Sequence, residues 1–307
     1  MQIKTIQKVI SSKLTEWLST ITDEKLRSDL KNNILVSGGS ITSMLLNEPV
    51  NDYDVYIKDI NILKRLAEYY ISPFSEIKIL DGREKKSLVE KILNDYKFND
   101  SVKTIDDINS NYAVNLRNLK EDQIKLWFDT VDSCKKVELD KEFDKKYTPV
   151  FFSPNAISLS DDLQIVIRFH GDNEAIHKTF DFIHATNYFT FENGLVTNKE
   201  ALESIITKQL RYQGSLYPVT TIIRMKKFIK RGWNINAGEM LKAMFQISEL
   251  DLKNPDVLEE MLIGVDIAYF GKLIEILRGV ENLETKITSQ YLNTIIDRVF
   301  NEYDAED

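Results

Sequence analysis

Apolar residues near the start of the chain recur at three- and four-residue spacing (Ile3, Ile6, Val9, Ile10, Leu14, Leu18), which predicts an amphipathic helix over residues 3–19. A shorter helix, about 22–31, leads into a change of period. Ile34-Leu35-Val36 reads as a strand. Gly38-Gly39 reads as a sharp turn whose backbone can approach a ligand, because neither residue carries a Cβ. Ser40 stands where an N-cap belongs, ahead of a short helix from Ile41 to Leu46. Asn47, Pro49 and Asn51 break that helix. Asp52 to Ile57 then alternates as a strand does, with Tyr53, Val55 and Ile57 toward a core and Asp52 and Asp54 side by side on the other face.

The next stretch predicts a helix over 59–70, a strand over 76–80, a helix from Lys85 to Tyr96 and a strand from Ile124 to Phe128. Residues 97–148 are otherwise polar, and Lys135 to Lys146 reads as a solvated charged run. Val150 to Phe152, Asn155 to Ser160 and Leu163 to Phe169 read as successive strands, the last two joined by a tight turn at Asp161-Asp162. Arg168 emerges from the face opposite Leu163, Ile165, Ile167 and Phe169, either as a surface arginine or as a triphosphate contact. His177 to Ala185 is mostly apolar and β-prone, with Asp181 inside it. A carboxylate in a buried strand is costly unless it is paired or bound to metal. Tyr188 to Thr197 predicts a hairpin turning at Asn193-Gly194. Helical periodicity then runs to the end, over about 199–210, 218–231, 236–248, 255–263, 266–279 and 285–302. The pattern divides the chain into an α/β head, residues 1–198, and a helical part, residues 199–307.

Composition narrows the classes. At 307 residues the chain has ample core for about two domains. No apolar run approaches the roughly 18 residues of a membrane helix. Cys134 is the only cysteine, which excludes an intrachain disulfide framework and a multi-cysteine zinc site and suggests a cytoplasmic setting. A net charge of −8 argues against a protein coated in nucleic acid, but not against a local basic groove.

The chemistry concentrates at residues 34–58. Two carboxylates on one strand face repel each other unless a cation lies between them, and paired magnesium ions are the common solution in phosphoryl chemistry. Free N–H groups at the start of a helix form a phosphate site. The alternative is a hairpin with a solvated acidic pair. In the helical part, Tyr217-Pro218 opens a helix that Gly232 closes. Ile222, Met225 and Ile229 are expected on its buried face, with Arg224, Lys227 and Arg231 opposite.

Gly38-Gly39, Leu45-Leu46 and Asp52-Tyr53-Asp54 together resemble the DNA polymerase β superfamily of nucleotidyltransferases, and within it the head domain of CCA-adding enzymes and bacterial poly(A) polymerases. The resemblance implies a mixed β-sheet flanked by helices, an α+β head followed by an all-helical C-terminal domain, with about 60–148 as an insertion in the head. It implies two Mg2+ ions, which Mn2+ can replace, held by Asp52 and Asp54. Gly38, Gly39 and Ser40 would hold the β- and γ-phosphates of an NTP. Asp181 would be a third metal ligand or, by similarity to an Asp-Phe-Thr-Ile-Asn-Ala stretch, a ribose contact. Residues 224–233, RMKKFIKRGW, are similar to a CCA-enzyme stretch that feeds cationic side chains to the nucleotide, which nominates Arg224, Lys227 and Arg231. His177 and His184 read as nucleotide-binding residues or as hydrogen-bonded core histidines.

The sequence departs from that family where specificity is set. An Arg-Asp pair after the glycines is Thr42-Ser43 here, an Arg-Arg pair before the later aspartate is Thr179-Phe180, and the Glu-Asp-x-x-Arg that selects CTP and ATP has no counterpart near Tyr217-Pro218. The expected activity is therefore transfer of an NMP from an NTP to an acceptor hydroxyl, with an RNA 3′ end such as that of tRNA as the leading acceptor. A protein or small-molecule acceptor, or a non-catalytic module of this fold, is the alternative.

Overall fold

A computed structural model describes residues 2–95, 103–108, 111–129, 134–137, 146–252, 254–261 and 293–294. The chain forms two compact units, the first comprising Met1–His177 with Ala185–Leu202 and the second Lys178–His184 with Glu203–Asp307.

In the first unit, α1 (Ile3–Thr20) buries Ile6, Ile10, Leu14, Trp17 and Leu18. Ile3 and Val9, expected on that face, are exposed, because the buried stripe runs through Trp17 instead. The Trp17 indole N–H is satisfied inside the core by the Tyr70 hydroxyl at 2.8 Å. After α2 (Glu24–Asn33), capped by Asp23, come β1 (Ile34–Ser37), α3 (Gly39–Leu46) and β2 (Tyr53–Ile57). Then follow α4 (Ile60–Ile71), capped by Asp59, β3 (Ile77–Asp81), α5 (Lys85–Asp95), α6 (Asn111–Arg117) and β4 (Ile124–Phe128). The strands β5 (Lys135–Lys136), β6 (Pro149–Ser153), β7 (Ala156–Leu159) and β8 (Leu163–His170) precede α7 (Asn173–His177) and the hairpin β9 (Tyr188–Thr190) and β10 (Gly194–Val196).

Among the described residues these strands make an eight-stranded sheet of order β10-β9-β1-β2-β8-β7-β6-β5 and a separate antiparallel pair, β3-β4. The sheet is mixed: β2 runs parallel to β8, with Asp54 opposite Gln164, while the other pairs are antiparallel. The β7–β8 hairpin turns at Asp161 and Asp162, whose φ values of 59° and 57° are those of a type I′ turn. One core gathers α1, α2, β1, β2, α4 and β8 together with Ile77, Ile124, Leu126 and Phe128 of the small sheet. β3 ends at Asp81, whose buried carboxylate accepts from Lys64 and Arg83 and is held down to about 2, first by Arg83. Gly82 beside it is required sterically, since a Cβ there would lie 1.8 Å from the Lys120 carbonyl oxygen.

The second unit contains α9 (Pro218–Lys230), α10 (Ala237–Ser248) and α11 (Pro255–Met261), and α8 (Lys199–Thr207) spans the division between the units. The expected helices at 266–279 and 285–302 lie outside the described residues. The segment expected as a strand through Asp181 is not one. After α7 it makes a single bridge, Phe182 to Tyr212, then a 3-10 turn at Ile183–Ala185. Phe182 and His184 of this segment instead join a ring cluster with Phe228 and Trp233, with centroids 4.5–5.9 Å apart.

Candidate active site

The site in the first unit is built by two neighbouring strands and the turn between them. β1 ends at Ser37, and Gly38 follows with φ 101° and ψ −150°, a conformation that favours glycine. Gly38, not Ser40, is the N-cap of α3, and no side chain caps the helix. With Gly38 as the cap the helix starts two residues earlier than a serine cap would start it. Ser40 is buried within the first turn, and its hydroxyl has no hydrogen-bond partner among the described residues. The helix ends at Asn47 in the left-handed conformation, φ 58°.

β1 and β2 pair antiparallel with Val36 opposite Val55, which brings the turn beside the acidic strand. A Cβ on Gly38 would stand 3.2 Å from Asp54 Oδ2. The missing side chain is what lets the turn's backbone lie against this carboxylate. Tyr53, Val55 and Ile57 are buried as the alternation predicts, Asp54 is half-buried and Asp52 exposed. Tyr56 on the acidic face is buried as well.

The partner on the other side of β2 was not legible from the sequence. The parallel register with β8 places Gln164 opposite Asp54, and the Tyr53 N–H donates to the Asp162 carbonyl at 2.8 Å. Asp162 therefore stands next to Asp52. Desolvation raises the Asp52 carboxyl above its ordinary range, although the residue has exposed surface, and the Asp162 charge raises it further. Among the described residues no lysine or arginine pairs with Asp52. The one sequence signal for Asp162 was its place in the tight turn before β8. Arg168 lies four residues beyond Gln164, about 13 Å along an ideal strand. It is buried, and its Nη1 donates to Asn155 Oδ1 at 3.2 Å.

Asp181, Arg224, Lys227 and Arg231 belong to the second unit. Asp181 is buried. It accepts from Ser215 Oγ at 2.7 Å on one oxygen and from Arg224 Nη1 at 2.5 Å on the other. The Ser215 hydroxyl oxygen in turn accepts from the Tyr217 N–H. This pairing turns α9 relative to the expected face. Thr220, Thr221 and Met225 are buried, Arg224 is half-buried, and Ile222 and Ile229 are exposed. Lys227 and Arg231 are exposed, the latter over the Phe228 ring. His184 is buried among rings, where burial and then Arg231 lower it to about 3.

The donor set of the first unit fits a divalent cation. It offers the hard carboxylate oxygens of Asp54 on β2 and of Asp52 just before it, the latter destabilised as an anion by desolvation and by Asp162. Among the described residues no group of three or more His, Cys, Asp or Glu is arranged to hold a metal. A two-carboxylate site of this kind suits an ion that shares its coordination with substrate phosphates.

Residues 8–208 match the sequence profile described as "Gad2: Gabija anti-defense 2 family protein". The chain belongs to the Gad2 family. A search of curated proteins finds no match. Among solved structures, the chain is similar to a Thermotoga maritima CCA-adding enzyme complexed with tRNA, at 13% identity and TM-score 0.37 over 90% of this chain and 57% of that one. A CCA-adding enzyme complexed with CTP gives 14% identity and TM-score 0.38 over 90% and 56%. A tRNA-processing enzyme gives 12% identity and TM-score 0.38 over 97% and 67%. The Gad2-family chain thus spans a little over half the length of the two CCA-adding structures. No helix among its described residues is long and apolar enough to cross a membrane.

Proposed function

We propose that this Gad2-family chain is a metal-dependent nucleotidyltransferase that moves an NMP from an NTP to an acceptor hydroxyl and releases pyrophosphate. The observation that carries the proposal is the close approach of the Gly38 backbone to the Asp54 carboxylate. It puts the glycine turn beside one of the two carboxylates proposed to bind metal. Gly39 and Ser40 receive the β- and γ-phosphates through the N–H groups at the start of α3, and Gly38, whose own N–H is taken by the Ala185 carbonyl, shapes the turn that presents them. Asp52 and Asp54 are the residues that would hold Mg2+ or Mn2+, which when bound supplies charge for the leaving pyrophosphate and lowers the pKa of the acceptor hydroxyl. Asp181 acts in the second unit as the fixed anion that orients Arg224. Lys227 and Arg231 are proposed contacts for nucleotide or acceptor phosphate, and Arg168 for the triphosphate.

The leading acceptor is an RNA 3′ end, to which the exposed cations of α9 would contribute. The family match favours a second acceptor, since its description ties the family to countering Gabija: a hydroxyl on a component of that defence. The test incubates purified protein with each labelled NTP, Mg2+ or Mn2+, and either total RNA or Gabija proteins, beside the Asp52→Ala/Asp54→Ala double mutant. Label entering RNA only with wild type supports the first acceptor, and label entering a Gabija protein supports the second. Absence of NTP binding by calorimetry overturns the reading.

A further inference from the structure

We propose that Ser37 and His177 form a positioning pair that holds the glycine turn in its nucleotide-receiving conformation; this rests on the nucleotidyltransferase reading above. Ser37 is the last residue of β1 and is fully buried. Its Oγ lies 3.0 Å from His177 Nε2, 3.1 Å from the Ala185 carbonyl oxygen and 2.8 Å from the Asn187 carbonyl oxygen. A hydroxyl has one proton, so Ser37 donates to one carbonyl at a time and its lone pair is free to accept. With two carbonyls as the other neighbours, His177 is the donor, and the proton of its imidazole sits on Nε2. Burial holds that ring's pKa down to about 4, so it is neutral at pH 7.

The next residue uses the same support. The Gly38 N–H donates to the Ala185 carbonyl at 3.1 Å. The left-handed Gly38 and the uncapped start of α3 are thus fixed from outside the turn, by a buried side chain, an imidazole and a carbonyl shared by successive residues. His177 and Ala185 are also the residues at which the chain leaves and rejoins the first unit, so one hydroxyl touches both ends of the Lys178–His184 segment. Neither Ser37 nor His177 is placed to touch phosphate or metal in this arrangement. Their effect reaches the substrate through the backbone of Gly38 and Gly39.

The experiment compares wild type with His177→Ala, His177→Gln and Ser37→Ala. It reads NTP affinity by calorimetry with Mg2+, the amide NMR signals of Gly38 and Gly39, and thermal melting. Glutamine keeps an N–H donor where Nε2 stood. The expected result is a Kd for NTP raised about tenfold in His177→Ala and Ser37→Ala, the size of one lost hydrogen bond. It comes with shifted glycine amides, a KM that rises more than kcat falls, and recovery of most of the affinity in His177→Gln. Wild-type affinity and unmoved glycine amides in His177→Ala would overturn the pair while leaving the enzyme reading intact. So would a glutamine variant as weak as the alanine one, because the role would then be packing. If His177→Ala fails to fold, His177→Gln and Ser37→Ala decide by the same readouts. A wild type that binds no NTP overturns the enzyme reading, and the positioning pair with it.

Discussion

In the first unit Asp52 stands beside Asp162 with no basic partner among the described residues, whereas in the second unit Asp181 is enclosed by Ser215 and by Arg224. Both are aspartates in structured backbone, and both would be costly if left as bare anions. The second unit has met the cost internally, with a guanidinium that closes the charge. The first leaves Asp52 in an environment that disfavours its ionised form. The difference separates two roles that sequence alone had merged. Asp181 belongs to a pair already satisfied, while Asp52, with no basic partner among the described residues, gains from an added cation.

The largest expected effect tests the first half of this contrast. Asp52→Ala with Asp54→Ala should lower NMP transfer at least 10³-fold, about 4 kcal/mol of barrier, while melting stays at or above the wild-type temperature because like-charge repulsion is relieved. Mg2+ should raise the melting temperature of wild type, by about 2.7 kcal/mol of stability at a hundredfold excess over Kd, and should leave the double mutant unmoved. A double mutant that retains transfer would remove the site assignment.

Asp181→Ala should do the reverse, with stability as the primary loss. Breaking a buried ion pair costs about 3–5 kcal/mol; Arg224 is partly solvated, which sets the expectation at about 2–3 kcal/mol by denaturant unfolding. Mg2+-dependent stabilisation should persist in this variant. Were Asp181→Ala to lose Mg2+ stabilisation and keep its fold, Asp181 would be acting as a metal ligand and the contrast would fail.

Acidification comes next in size. His177 and His184 titrate in the folded protein at about 4 and about 3, below the ordinary 6.5, because burial penalises the imidazolium. The unfolded chain therefore takes up protons that the folded chain refuses, and stability falls as pH drops from about 6.5 toward 4. For His177 this is at most on the order of 3 kcal/mol. Asp81 extends the loss. Its carboxyl is held at about 2, so the stability it contributes is present above its unfolded pKa and disappears as pH falls from about 4 to 2. Unfolding curves at stepped pH should show both limbs, with the upper one reduced in His177→Gln.

How much of this was legible follows from the range of the interactions involved. β1, the glycine turn, α3 and β2 were readable because glycine conformation, alternation and helix breaking act within a few residues. Only the cap slipped, from Ser40 to Gly38, since a positive φ leaves no mark that distinguishes Gly38 from Gly39. The Asp52–Asp162 juxtaposition was not readable, because the parallel register of β2 and β8 joins residues more than a hundred positions apart. Phe182 suits a strand and a ring cluster equally well, and packing against Phe228, with His184 against Trp233, decided between them. The face of α9 was misread for a related reason. Hydropathy put Ile222 and Ile229 inward, but the ion pair to Asp181 and the small Thr220 and Thr221 set which side is buried.

The smallest effect is the sharpest test of the contrast, because each unit holds a glycine with positive φ. Gly38 has φ 101° and Gly232, closing α9, has φ 79°. Alanine at either position should cost about 1–2 kcal/mol of stability from backbone strain. They differ in what the new methyl meets. At Gly232 no described residue lies within 4 Å of the methyl, whereas at Gly38 it stands 3.2 Å from Asp54 Oδ2 and the carboxylate must shift by a few tenths of an ångström. Displacement of a reacting group on that scale is out of proportion to its stability cost. The two variants should therefore melt alike, and only Gly38→Ala should lose Mg2+-dependent NTP affinity and transfer. Equal losses of affinity would mean that the turn acts through general stability, and an unaffected Gly38→Ala would mean that phosphate does not bind at this turn.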